Sequence, residues 1–388
     1  MSIAARVPMV SIAVAVIGGV ACIIGLFIEP ARTAAAYLVA YTSCLAVVLG
    51  ALAMIMIARL TAATWFVALR RQAEEVAATL PMFAILLVPL LVAIPALYPW
   101  ARPGQAVTPA LQEMLRAKAP YLNVPFFVVR SLIYLATWIV LGELLRRASL
   151  TQDGGDSAAI ERRTRVTSSV GLVAFAFTVS FASFDWMMSL SPTWYSTIYG
   201  VDYFAGGMVG ALALLAALVA RARRRGELPE SVGADHVHAL AKLLLTFVLF
   251  WVYIGFAQLI VIWSAEIPIE RTWYVVRMRG GWRVLGGLVL AGHFALPFLA
   301  LLVRPFKRSI VAMTSLGFWL LAMHYLDVYW IAMPDAPGAG RGGYWLDLGA
   351  LMLVAGAASA TWAVRRAGEA PLAMGDPALR ASLDYVTD

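Results

Sequence analysis

Polar residues interrupt this chain rarely, and at intervals that a membrane sets. Apolar runs recur near 9–28, 34–58, 81–99, 124–145, 165–190, 196–220, 240–264, 284–303, 309–333 and 343–364. Each is about 20 residues, enough to cross about 30 Å of hydrocarbon as helix. The alternating pattern of a membrane β-barrel is absent, so the spans are predicted to be helices. The expected fold class is an all-α polytopic membrane protein of about ten transmembrane helices. One transmembrane domain is expected over 1–364, followed by a tail, 365–388, too polar to span and too short to fold alone. If ordered, that tail must lie on a partner or on the loops of its own face. The first apolar run has no small-residue cleavage site behind it and reads as a retained first span. The stretch 59–80 mixes Arg59, Arg70, Arg71, Glu74 and Glu75 with apolar residues. It is predicted to be either an extension of helix 2 or an amphipathic helix at the membrane surface.

Composition agrees with this pattern. The chain is 62% hydrophobic and 13% charged, where a soluble chain carries about 25% charged residues. The net charge of +8 is explained by where the cations sit, so no nucleic-acid partner is implied. Nineteen of the 30 Lys and Arg fall at the N-terminus, in the even-numbered loops and in the tail; nine fall on the other side, and Arg130 and Lys242 lie inside spans. By the positive-inside rule both termini are expected to be cytoplasmic. Cys22 and Cys44 are the only cysteines, both inside apolar runs, which leaves no spacing for iron–sulfur, zinc or c-type haem attachment. No P-loop, nucleophile elbow or metal triad appears, so ATP-driven transport and hydrolysis find no support.

The candidate chemistry lies in the few polar residues within spans. A carboxylate there costs about 2.5–3.5 kcal/mol on insertion scales, and such residues demand partners. Asp185 and Asp202 flank a Ser-Pro turn between helices 5 and 6, each a few residues beneath the outer surface. On helix 9, Asp327 falls at a similar depth, with His324 at i, i+3 spacing on the same face. Arg130 on helix 4 shares the layer. One reading is a set of structural ion pairs, for example Arg130 with Asp185. The other is a proton-exchanging site, with or without a quinone head group, because a His–carboxylate pair can take a proton and pass it on at neutral pH. His293 and His324, at equal depth on helices 8 and 9, could instead ligate a b-type haem, although the nearby carboxylates suit proton chemistry better. Nearer the inner face, Lys242, Thr246 and Tyr253 follow one face of helix 7, and Glu143 lies near the inner end of helix 4. These are either snorkelling residues or an inner half-channel leading through Tyr253 and Gln258 to the outer cluster. Gly206, Gly207, Gly210, Gly286 and Gly287 read as close-packing positions, and Pro89, Pro95 and Pro297 as kinks. The outer loop 265–283 sets Trp273, Tyr274 and Trp282 beside Arg277, Arg279 and Arg283, as an interfacial belt or a docking surface would.

Four segments carry a family resemblance: SFDWMMSLSPTWYSTIYGVDYFAG at 183–206, KLLLTFVLFWVYIGFAQ at 242–258, MHYLDVYW at 323–330 and the tail motif GDPALRASLDY. From about residue 30 onward the chain resembles the ActF subunits of alternative complex III, a bacterial quinol:electron-acceptor oxidoreductase of respiratory or photosynthetic membranes. Those subunits are NrfD/PsrC-like membrane proteins. The resemblance implies two four-helix bundles, helices 2–5 and 6–9, related by a pseudo-two-fold, with helices 1 and 10 outside. It implies a bacterial inner-membrane location and three protein partners: a sister NrfD-like membrane subunit, a multihaem cytochrome c and an iron–sulfur protein. It also implies no redox centre in this chain, quinol bound chiefly by the sister subunit, and a proton path here. Asp185, Asp202, His324 and Asp327 lie in the matching motifs.

Overall fold

The computed structural model describes residues 3–102, 104, 108–154 and 157–387. Its helices in chain order are α1 (Ile3–Ile28), α2 (Pro30–Leu60), α3 (Val67–Ala77), α4 (Leu80–Val92), α5 (Ile94–Leu97), α6 (Pro109–Lys118), α7 (Val124–Gln152), α8 (Ser157–Trp186), α9 (Tyr199–Arg224), α10 (Ala234–Ala265), α11 (Pro268–Arg277), α12 (Gly280–Val289), α13 (Leu296–Leu302), α14 (Arg304–Arg308), α15 (Ile310–Ala332), α16 (Tyr344–Arg365) and α17 (Leu379–Leu383). Among the described residues no strand forms, and ten helical segments are long and apolar enough to cross a membrane. The chain is an all-α polytopic membrane protein. An even number of crossings returns the tail to the side where α1 begins. We call this side the tail face and the other the opposite face.

Helices α2 and α9 form the centre. Around α2 pack α4, α7 and α8; around α9 pack α10 and α15, with α12 and α13 completing that side. The two groups meet chiefly along α2 and α9, while α1 and α16 pair with each other and rest on α2. The approach of α2 to α9 depends on small residues. A Cβ added at Gly207 would stand 2.6 Å from the Ala46 carbonyl oxygen, and one at Gly50 would stand 2.8 Å from the Ala211 Cβ. In lipid, where apolar surface gives little drive for helix association, such close backbone packing holds helices together. Gly210 and Gly286 are similarly tight, with an atom 2.8 Å from an added Cβ at each; Gly206 is less so, at 3.3 Å, and Gly287 faces open space.

The three prolines act where the sequence placed them. α4 continues through Pro89 and stops at Val92, and α5 restarts with Pro95 in its first turn. Before Pro297 the backbone widens into a π-helical turn over Leu290–Ala295, between α12 and α13. Such bulges re-aim a side chain within an otherwise regular helix, and here that side chain is His293.

Residues 67–77 depart from both expectations for 59–80. A turn with Ala62 at φ 49° separates α3 from α2, and α3 is buried: Arg70, Arg71, Gln72, Glu74 and Glu75 are each at most 4% exposed. What covers it is the tail. Asp376 pairs with Arg70, Gln72 Nε2 donates to the Pro371 carbonyl at 2.9 Å, and the Ala68 amide donates to Ser382 Oγ at 3.0 Å. The charges also answer one another. Arg70 and Arg71 lie 3.2 and 3.3 Å from Glu74, Arg71 lies 2.5 Å from Asp153, and Arg366 lies 3.3 Å from Glu75. The tail therefore lies on the loops of its own face, the second of the two places the sequence left open to it.

Candidate functional site

The polar residues of the opposite-face half assemble as two separate clusters rather than one. The first is an ion pair between α7 and α8. Arg130 Nε and Nη2 each donate to an Asp185 carboxylate oxygen at 2.8 Å, and Tyr134 Oη donates to Asp185 Oδ2 at 2.7 Å. Arg130 also donates to the Tyr121 carbonyl at 2.9 Å, with its Cζ 3.9 Å from the Tyr121 ring centroid. Asp185 is fully buried. A bidentate, charge-assisted pair whose carboxylate accepts three hydrogen bonds is a fixed structural element. Tyr134, which was not singled out in the sequence, lies at i+4 from Arg130 on one helix face, and that spacing could have found it.

The second cluster joins α9, α10, the π-helical turn and α15. Asp202, in the first turn of α9, and Asp327 and His324 on α15 line one internal cavity of about 10 Å³ together with Tyr199, Tyr203 and Gly206. That is space for about one water molecule. Trp251 Nε1 donates to Asp327 Oδ2 at 3.1 Å. His293 Nδ1 lies 3.9 Å from the same oxygen, its ring 4.4 Å from the Trp251 ring. His324 Nε2 lies 3.2 Å from the Ser43 carbonyl oxygen of α2. A carbonyl only accepts, so this contact assigns the proton to Nε2 and leaves the Nδ1 lone pair free. A Cβ at Gly206 would stand 3.3 Å from both His324 Nδ1 and Asp327 Oδ2. The missing side chain at 206 is thus what leaves these two atoms facing a shared gap. Both ring nitrogens of His293, and Nδ1 of His324, are buried with no hydrogen-bond partner among the described residues. Buried polar atoms rarely go unpaired in a resting core; here Asp202, His324 and Asp327 surround space for one water, and His293 stands behind Asp327.

Trp251 was not singled out in the sequence. It lies at i, i−7 from Gln258 on α10, so the face of that helix was readable even though the partner was not. Also unforeseen is a layer adjoining the cavity toward the opposite face. Arg277 is fully buried, pairs with Asp335 at 2.6 Å, donates to the Ile331 carbonyl and stacks 3.5 Å over Trp273. Burial lowers the pKa of its guanidinium, with Asp335 opposing. Trp273 in turn stacks on Trp194 at 4.7 Å. Of the loop 265–283, then, Trp273 and Arg277 turn inward, while Arg271, Arg279 and Arg283 stay exposed.

The helix 7 stripe is not brought to the cavity. Lys242 and Thr246 are exposed on α10, and Tyr253 is 64% exposed on the outer surface of the helix bundle. Thr246 Oγ1 returns its hydrogen bond to the Lys242 carbonyl. Gln258 alone of that set is buried. Glu143 lies near the tail face, bound to Arg147 at 2.8 Å and Arg365 at 2.6 Å, where it ties α7 to α16.

A porphyrin does not fit between His293 and His324. Their ring centroids are 6.4 Å apart, but the Trp251 ring and α9 fill the surroundings and the free space is that of one water. A quinone head group does not fit there either, since ligand pockets run to about 300–1,000 Å³. No protein-family model matches the chain, and no curated protein matches it.

Proposed function

We propose that this chain is a membrane subunit of a bacterial quinol:electron-acceptor oxidoreductase of the alternative complex III type, in which it provides a proton path coupled to quinol oxidation. The observation that carries this reading is the convergence of Asp202, His324 and Asp327, from two helices, on one water-sized cavity inside the membrane domain, with His293 behind Asp327 at 3.9 Å. Asp327 can hold a proton on the carboxylate that Trp251 orients, His324 Nδ1 can accept it across the gap at Gly206, and Asp202 offers the next acceptor on the same cavity. General acid–base groups arranged within one water of each other are what proton transfer requires. The small volume favours proton exchange here and quinol oxidation elsewhere, in keeping with a quinol site on a sister NrfD-like subunit. Electrons would pass to multihaem cytochrome c and iron–sulfur partners on the opposite face, which the positive-inside rule makes periplasmic.

A second reading, a scaffold that anchors those extrinsic subunits, has its own support: the closed Arg130–Asp185 pair and the exposed Arg271, Arg279 and Arg283. One experiment separates the two. An affinity tag on this chain should retrieve c-type haem absorbance and quinol oxidation activity from detergent-solubilised membranes. In proteoliposomes, Asp327→Asn should keep quinol oxidation measurable and lose proton movement followed by a pH-sensitive dye. Retrieval of the chain without haem would end the complex assignment. Full proton movement in both Asp327→Asn and Asp202→Asn would leave only the scaffold.

A further inference from the structure

A cavity of about 330 Å³ opens on the tail face between the end of α2, the 62–67 turn, α8 and the tail. It is unrelated to the cluster above. Arg59 and Arg70 line it and are 5% and 3% exposed. Their charges are only partly answered. Arg59 Nη1 donates to Thr164 Oγ1 at 3.1 Å and lies 3.5 Å from Glu161, yet its Nε and Nη2 find no hydrogen-bond acceptor among the described residues. Nη2 comes no nearer to Glu74 than 3.9 Å. Arg70 is held by Asp376, and its Nη2 also lacks an acceptor. The lining acids are already engaged: Asp376 with Arg70 and the Ala378 amide, Glu161 with Arg59 and Arg165. Buried guanidinium nitrogens without acceptors are costly, so the cavity is built to receive one.

We infer that this pocket binds a phosphate group through Arg59, with Arg165 closing it from the exposed side. Guanidinium donors match phosphate oxygens in geometry and charge. With three arginines set against Glu161, Asp376 and, beneath them, Glu74, the pocket suits a singly charged phosphodiester better than a dianion. Its depth fits a phospholipid head group: α2 leaves its apolar span at Leu60 and α8 enters its own at Ala159, so the pocket lies at the level of the lipid phosphates. Free phosphate has the same donor requirements, and the test distinguishes the two.

The protein is purified in a phosphate-free maltoside detergent, and its thermal unfolding midpoint is followed while phosphatidylglycerol, diacylglycerol or inorganic phosphate is added. Phosphatidylglycerol should raise the midpoint and diacylglycerol should not. Arg165→Gln, an exposed position, should keep the fold and raise the phosphatidylglycerol concentration needed for half the effect about tenfold, the loss of one charge-assisted hydrogen bond. Arg59→Gln should abolish the effect; if that variant does not fold, Arg165→Gln decides alone. An equal shift with inorganic phosphate identifies the occupant as free phosphate. No shift with either phosphate source, an equal shift with diacylglycerol, or a wild-type response in Arg165→Gln overturns the inference.

Discussion

Arg130 and Asp185 meet side-on: two guanidinium nitrogens each lie 2.8 Å from a different carboxylate oxygen, and both side chains are sealed from solvent. Tyr134 takes a further lone pair of the same carboxylate. Removing one member of a buried pair strands the other, which costs about 3–5 kcal/mol. Asp185→Asn should therefore lower the unfolding midpoint in detergent and reduce the amount of folded protein recovered. Arg130→Gln should do the same. The double variant should be less damaged than the sum, because neither charge is then left alone. Additive losses would show that the two side chains do not act as a pair.

Asp327 should behave in the opposite way. Its carboxylate receives one hydrogen bond, from Trp251, and has no cation bound to it in the manner of Asp185. Asn at 327 or 202 keeps the shape and can still accept a hydrogen bond, so the unfolding midpoint should change little. Loss of a positioned proton-transfer group slows the step it serves by about 10²–10⁴-fold. The check is the ratio of protons moved to quinol oxidised in proteoliposomes, beside thermal unfolding of the same preparations. A large drop in stability with an unchanged ratio would make Asp327 another structural carboxylate.

Much of the fold was legible because hydrocarbon thickness and helix rise fix the spans; α15 and α16 needed boundary changes of one residue, while α10 begins six residues earlier than expected, at Ala234. The site was legible in part. Depth can be counted from a helix end, which put Asp185, Asp202, His324 and Asp327 in one layer. Rotation about the helix axis cannot, so the separation of Arg130–Asp185 from the remainder was hidden. Lys242, Thr246 and Tyr253 share a face, but sequence spacing does not say whether that face points inward. The buried charges of α3 were opaque for another reason: Arg70 meets Asp376 from 306 residues away, and no local pattern encodes such a partner.

The joint between α2 and α9 should be intolerant of bulk. Val at Gly207 would press its Cβ toward the Ala46 carbonyl, where 2.6 Å is available. Overpacking of this kind typically costs about 1–3 kcal/mol, and here backbone rather than a flexible side chain must move. Because α9 also carries Gly206 and Asp202, the displacement should open the cavity. Gly207→Val should lower the unfolding midpoint and also reduce proton movement, although residue 207 touches none of the titratable groups. Gly287→Val, at a position with open space, is the matched control and should change neither.

The tail is the last element to dock in chain order, and its removal should be felt far from its own sequence. Asp376 faces Arg70, Ser382 Oγ accepts the Ala68 amide and the Ser382 carbonyl faces His236 Nε2 at 2.8 Å. Gly375 passes so close to the end of α7 that a Cβ would overlap the Gln152 carbonyl. Asp376→Ala withdraws one carboxylate from Arg70 and leaves Glu74 beside it, a loss of about 1–3 kcal/mol for a buried donor left without its acceptor. Gly375→Leu should be worse, since it displaces the whole segment from α3 and uncovers Arg70, Arg71 and Glu74 together. Limited proteolysis reads the difference: wild type should resist cleavage in 366–387, Asp376→Ala should be cut slowly, and Gly375→Leu should be cut quickly. Equal resistance in all three would mean that the tail is held by its apolar contacts through Leu372 and Leu379 rather than by this packing and charge.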